Sequence, residues 1–191
     1  ILDLKKFINL NKNEYLKEIF SLIFPEFNNF ERLDRLKKIN NNLYIEKNIL
    51  LAVLLIDKKD NHEYFAHKYN IANNIKENLN SLARDLRLLR ENNDFFGKDL
   101  EKNIYLKNKN YLTNLNIINF ASNTQYKLKD FSEIMRRILQ SKLHTFPFNG
   151  KYLIKNGMKE GLALGKVLKM IEDEWINNNF KISKDRVKEI I

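Results

Sequence analysis

The sequence predicts an all-α protein, a helical body followed by a C-terminal helical tail bundle with a glycine-rich helix–turn–helix hairpin. Three observations carry this prediction. Apolar residues recur at spacings of three and four along most of the chain, whereas strand-like alternation is rare. Apolar types make up 43% of 191 residues, including thirteen Phe, eight Tyr and one Trp, enough to bury a real core. Four of the five glycines and one of the two prolines are gathered between Phe146 and Lys166, so the backbone punctuation is concentrated in one place.

The elements follow in order. Ile1 to Asn9 is short and mixed. Asn13 can cap a helix carrying Tyr15, Leu16, Ile19, Phe20 and Ile23, which must end at Pro25. Phe27 and Phe30 plug the connection to a short helix on Leu33, Leu36 and Ile39. Ile45 to Ile56 is apolar all round and predicts the central buried helix of the first half. Beyond the charged loop Asp57-Lys58-Lys59-Asp60-Asn61, a short helix covers His62 to Tyr69, and a long one runs on Ile71, Ile75, Leu79, Leu82, Leu86 and Leu89. The polar cluster Glu91-Asn92-Asn93-Asp94, with Gly97 just beyond, marks the expected boundary between residues 1–95 and 96–191. Two helices, Leu100 to Leu106 and Tyr111 to Phe120, flank the turn Lys107-Asn108-Lys109-Asn110. Asp130-Phe131-Ser132-Glu133 has capping-box spacing and predicts a helix starting at Asp130. That helix carries Phe131, Ile134, Met135, Ile138, Leu139 and Leu143 on one face and Arg136 and Arg137 on the other. Ser183 can cap a last helix with Val187 and Ile190.

In the glycine stretch, Pro147 stops the preceding helix. Asn149-Gly150 opens a short helix over Lys151 to Asn156, and Gly157 takes the left-handed position that ends it. A second helix opens near Gly161 and runs through Val167, Leu168, Ile171 and Trp175. Two readings stay open. Free N–H groups at the start of the second helix, with Lys151, Lys155, Lys159 and Lys166 around them, can hold phosphates. Alternatively, Gly161 and Gly165 sit one turn apart so that another helix can pack closely.

Composition bounds the chemistry. A net charge of +10 and a pI near 9.6 favour an anionic partner, nucleic acid first. The absence of cysteine removes disulfides, thiolate catalysis and most structural zinc sites, and it fits a reducing cytoplasm. No run is long enough to span a bilayer. His62 and His67 lack the spacing of a helical metal pair, and His144 is distant, so all three read as ordinary surface or packing histidines. Glu172-Asp173-Glu174 reads as the solvated side of a helix. Arg84, Arg87 and Arg90, with Arg136 and Arg137, are basic points on helix faces and candidate phosphate contacts. Because the first residue is Ile, the chain is expected to begin partway through a longer protein.

Phe148-Asn149-Gly150-Lys151-Tyr152-Leu153-Ile154, then Gly157, Gly161, Gly165 and the run to Glu174-Trp175, resemble the C-terminal signature of bacterial CCA-adding tRNA nucleotidyltransferases and the related poly(A) polymerases. More weakly, Ile19 to Phe27 is similar to that family's neck-to-body helix, Leu50 to Ile56 to its buried body helix, and Phe65 to Asn70 to the turn that follows. Two positions depart: Tyr152 stands where the family usually has an acidic residue, and Leu162 where it often has proline.

The resemblance implies a division into the end of the neck and helical body, residues 1–95, and a helical tail, 96–191, with the signature at 146–176. In that family a separate N-terminal head holds magnesium and CTP or ATP. This chain has no Gly-Gly, Gly-Ser or Asp-x-Asp and no Glu-Asp-x-x-Arg neck motif, so no catalytic, metal or nucleotide-binding residue is carried over. Implied instead is the part that grips the acceptor stem and elbow of tRNA in the cytoplasm, without a membrane, inactive until joined to its own head. The expected RNA contacts are Arg136, Arg137, Lys151, Lys155 and Lys166, with Gly150, Gly157, Gly161 and Gly165 as the structural signature. The alternatives are the body of a poly(A) polymerase, or a helical nucleic-acid-binding module with no enzymatic parent.

Overall fold

A computed structural model describes residues 12–39 and 45–191, and within these every regular element is a helix. They are α1 Glu14–Ile23, α2 Glu31–Leu36, α3 Lys47–Leu55, α4 Asn61–Lys68, α5 Asn73–Glu91, α6 Leu100–Lys107, α7 Lys109–Ser122, α8 Leu128–Gln140, α9 Gly150–Lys155, α10 Leu162–Asn177 and α11 Lys184–Ile190. The short mixed stretch Ile1 to Asn9 lies outside the described residues. No described helix is long and apolar enough to cross a membrane.

The chain divides into two compact units, one of residues 1–100 and 107–141, the other of 101–106 and 142–191. The boundary expected at residue 95 does not coincide with this division. The reason is α7, which packs on α2, α3, α5 and α8 and so draws residues 107–141 into the first unit.

In the first unit α3 is the axis. Every residue from Ile49 to Leu55 is buried, as an all-round apolar helix requires, and α2, α4, α5 and α7 surround it. A second buried helix, α7, did not stand out in the sequence. Its pattern mixes Leu112, Leu115, Ile117, Ile118 and Phe120 with buried Asn116 and Asn119, which dilutes the apolar signal. Asn116 is tolerated because its Nδ2 donates to the Phe131 carbonyl at 3.1 Å and its Oδ1 accepts from the Tyr126 hydroxyl at 2.9 Å. Arg35 on α2 clamps the end of α7, donating to the carbonyls of Phe120 (2.7 Å), Asn123 (2.9 Å) and Tyr126 (2.6 Å).

Helix α1 starts at Asn13, whose side chain accepts from Leu16 N–H, and stops at Ile23, two residues before Pro25. It buries no residue completely. Phe20 instead joins a ring cluster with Phe24, Phe27 and Phe30, continued by Phe65 and Tyr69. Helix α8 corrects an expectation: it begins at Leu128, with Lys127 in the N-cap position and no side-chain cap bond. Asp130 therefore lies in the first turn, where its charge suits the helix dipole, and does not head a capping box.

The second unit is built on Leu153, Ile171 and Val187, all fully buried, with Phe148, Leu164, Val167 and Leu168 packed around them. An aromatic group centred on Trp175 extends this core. Tyr105 meets its ring edge-on at 5.3 Å and Phe180 at 4.9 Å, and Phe146 lies tilted against it at 5.4 Å. Ser183 caps α11 by accepting from Arg186 N–H at 3.1 Å.

Candidate nucleic-acid interface

The glycine-marked region lies wholly within the second unit. Helix α9 opens with Asn149 in extended geometry, its Oδ1 accepting from Tyr152 N–H at 3.0 Å. It closes two turns later in a Schellman arrangement. Met158 N–H donates to Leu153 O and Gly157 N–H to Ile154 O, both at 3.1 Å, with Gly157 at φ +106°. Only glycine adopts that geometry without strain. Tyr152, one of the two departures from the family pattern, packs its ring on Phe148 at 4.9 Å. Leu162, the other, is 92% exposed at the start of α10.

The structure distinguishes among the glycines. A Cβ on Gly150 would lie 3.1 Å from Leu164 Cδ2, so the close approach of α9 and α10 occurs there. At Gly161 and Gly165 no atom lies within 4 Å of the Cβ position. The helix-packing explanation for that pair is therefore not realised among the described residues. Gly161 has its own backbone reason, φ +144° at the N-cap of α10, while Gly165 sits in regular helix with open space beside it.

The cations around this open turn are also unused. Lys151 and Lys155 project from α9 and Lys166 from α10, with Lys159 in the connection; all four are exposed and none forms an ion pair among the described residues. The contrast with the other end of α10 is direct. Lys169 pairs with Glu172 at 3.1 Å and Asp173 at 2.8 Å, and Arg186 holds Glu174 at 2.8 Å. Glu172 also accepts from the Tyr105 hydroxyl, and burial together with this bond pushes the Tyr105 phenol up to about 12. The acidic cluster is thus a set of paired carboxylates and not simply a solvated face.

The two arginines of α8 belong to the first unit and differ from each other. Arg136 is exposed and touches only Gln140 at 3.1 Å and Glu133 at 3.4 Å on its own helix. Arg137 is half-buried and donates to the Gly97 carbonyl at 3.1 Å, which gives it a structural task. Arg87 pairs with Asp60, and Arg84 lies 3.5 Å from Asp85.

The histidines serve different ends. His62 is buried in α4, and burial pulls its pKa below the ordinary value. His144 stacks flat on Phe180 at 3.7 Å with Nε2 2.7 Å from Glu101. His67 is exposed. No group of three metal-ligating side chains converges among the described residues. One convergence was not legible in the sequence, which singled out only Arg90 of its members: Arg32, Lys58, Lys59 and Arg90 line a single cavity in the first unit.

No protein-family model matches the chain, and neither the curated proteins nor the solved structures contain a match.

Proposed function

We propose that this chain is the RNA-binding body and tail of a tRNA nucleotidyltransferase that adds CCA to tRNA 3′ ends, gripping the acceptor stem and elbow while an N-terminal head performs nucleotidyl transfer. The observation that carries the reading is the state of the glycine-marked turn. Four exposed lysines without ion-pair partners surround two glycines on which nothing packs. Exposed cations beside two positions with open space at the backbone let a phosphate backbone approach closely and meet charge-assisted donors. The family resemblance over residues 146–176 gives that surface its partner.

In this reading Lys151, Lys155 and Lys166 contact phosphates without reading sequence, as recognition of folded RNA by shape requires. The N–H groups of the first turn of α10, which no side chain caps, add donors of the same kind. Magnesium and CTP or ATP belong to the head, and the working compartment is the cytoplasm.

The test is direct. The chain should bind tRNA lacking its 3′ end, with affinity that falls as salt rises, and should incorporate no nucleotide from CTP, ATP and magnesium. Adding a head domain, fused or in trans, should restore incorporation. Robust incorporation by the chain alone refutes the reading, as does tRNA binding that vanishes at physiological salt. Stronger competition by duplex DNA than by tRNA would point instead to a DNA-binding module.

A further inference from the structure

The first unit contains a cavity of about 490 Å³ lined by Asn28, Asn29, Arg32, Asp57, Lys58, Lys59, Arg90 and Ser122. Three parts of the fold meet there: the entrance and first turn of α2, the loop after α3, and the adjoining ends of α5 and α7. Its volume lies within the range of about 300–1,000 Å³ common for small-molecule sites, but its wall is polar, without an aromatic ring on which a base could stack.

The charge is one-sided. Four cations face one carboxylate, and none of the four forms an ion pair. Asp57 is turned toward its own loop, where Oδ1 accepts from Lys59 N–H at 2.8 Å and Asn61 N–H at 3.3 Å. Both arginines are held in place through neutral groups. Arg32 donates one guanidinium nitrogen to the carbonyls of Val53 (2.8 Å) and Ile56 (2.6 Å) at the end of α3. Arg90 donates to Ser122 Oγ at 2.8 Å, and that hydroxyl gives its own proton to Ile118 O. Each guanidinium thus keeps donors to spare on a fixed frame. Asn29 is oriented in the same way, by its bond to Leu54 O at 2.8 Å.

Burial pulls both guanidinium pKa values below the ordinary arginine value; at Arg32 the carboxylates of Glu31 and Asp57 oppose this and Arg90 adds to it. Among the described residues no carboxylate bonds either guanidinium directly, so the free N–H donors of both remain available to an anion placed between them.

We infer that this cavity is a phosphate-binding site, in which Arg32 and Arg90 supply fixed guanidinium donors and Lys58 and Lys59 close over the anion. The phosphate can come from a free phosphate compound or from an RNA backbone. Only the second source rests on the RNA-binding reading.

Arg32 supports the end of α3, so the informative variant is the double replacement Lys58→Ala, Lys59→Ala. Both side chains are exposed and bond to nothing, so folding should be unaffected, as checked by an unchanged melting temperature. Arg90→Gln serves as the second variant. Two probes are titrated into the intact chain, inorganic phosphate followed by NMR of arginine side-chain N–H signals, and tRNA followed by filter binding. For whichever probe occupies the site, each variant should weaken binding about tenfold or more, the loss expected for charge-assisted hydrogen bonds. Weakened phosphate binding with no tRNA binding at all keeps the site and removes the RNA reading. Weakened tRNA binding with no response to phosphate assigns the site to the RNA backbone. Binding that is unchanged in both variants for every probe the wild-type chain binds overturns the inference, as does a wild-type chain that binds neither probe.

Discussion

Lys107 Nζ stands 2.7 Å from Oδ2 of Asp85, a carboxylate only 1% exposed, and the Tyr111 hydroxyl donates to the same oxygen at 2.7 Å. This pins the middle of α5 to the junction of α6 and α7, where Asn108 makes the single-residue break at φ +69°. Lys107→Met keeps the apolar stem but leaves Asp85 with Tyr111 and a loosely placed Arg84. Breaking a buried pair costs about 3–5 kcal/mol, and because Lys107 is partly solvated we expect about 2–4 kcal/mol here. Urea unfolding measures it; an unchanged midpoint would mean that solvent satisfies Asp85.

The glycines of α10 should separate by mechanism. Gly165→Ala places a methyl in open space within a helix and should stabilise by up to about 1 kcal/mol. Gly161→Ala forces a side chain into a φ of +144° and should cost about 1–3 kcal/mol. Crowding, the reason the sequence suggested, does not enter at either site. If RNA lies against this turn, Gly165→Ala weakens tRNA binding even as it raises the melting temperature. An unaltered tRNA affinity would take that face out of the interface.

Arg136 and Arg137 should not behave alike. Arg137→Ala removes the bond to the Gly97 carbonyl and should lower stability by about 1–2 kcal/mol. Arg136→Ala should leave the melting temperature alone. If Arg136 touches a phosphate, its loss reduces the slope of log affinity against log salt by about one unit. A double replacement would mix the two effects, so the single variants are the ones to measure.

Acid should weaken the fold through His62. Its side chain is 1% exposed, its Nδ1 has no hydrogen-bond partner, and burial holds its pKa below the ordinary 6.5. The unfolded chain therefore takes up this proton at a higher pH than the folded one. The stabilising contribution is present above 6.5 and is lost as pH falls from there through the folded value. Between about pH 7 and pH 5, wild type should lose more stability than His62→Gln, whatever the offset between the two. Parallel curves would show that His62 does not carry the effect. Glu26 acts lower in the scale. Burial alone would raise its pKa, but bonds from Lys68 at 2.7 Å and Tyr69 at 3.2 Å outweigh that and lower it, so its contribution is present above the ordinary carboxylate value of 4.5 and is lost as pH falls from there through the folded value.

What the sequence determined by itself are the features that depend on a few neighbouring residues. The apolar run Ile49 to Leu55 had to be buried on every side. Pro25 had to stop α1, Asn13 and Ser183 could cap, and Gly157 could take the positive φ that ends α9. Each follows from backbone sterics or from one hydrogen bond within a turn, and short-range physics is written in short-range sequence. Even at that range a local signal can be overridden, for the Asp130–Glu133 spacing did not set the start of α8, which lies at Leu128. The tertiary structure decided everything that depends on distant residues meeting. It buried the asparagines of α7, gave close packing to Gly150 and withheld it from Gly161 and Gly165, and brought Arg186 to Glu174 and Tyr105 to Glu172 while leaving the lysines of the turn unpaired. It also brought Arg32, Lys58, Lys59 and Arg90 around one cavity. A charge acquires its role from what stands within a few ångströms of it, and for residues far apart along the chain that distance is set only by how the helices pack.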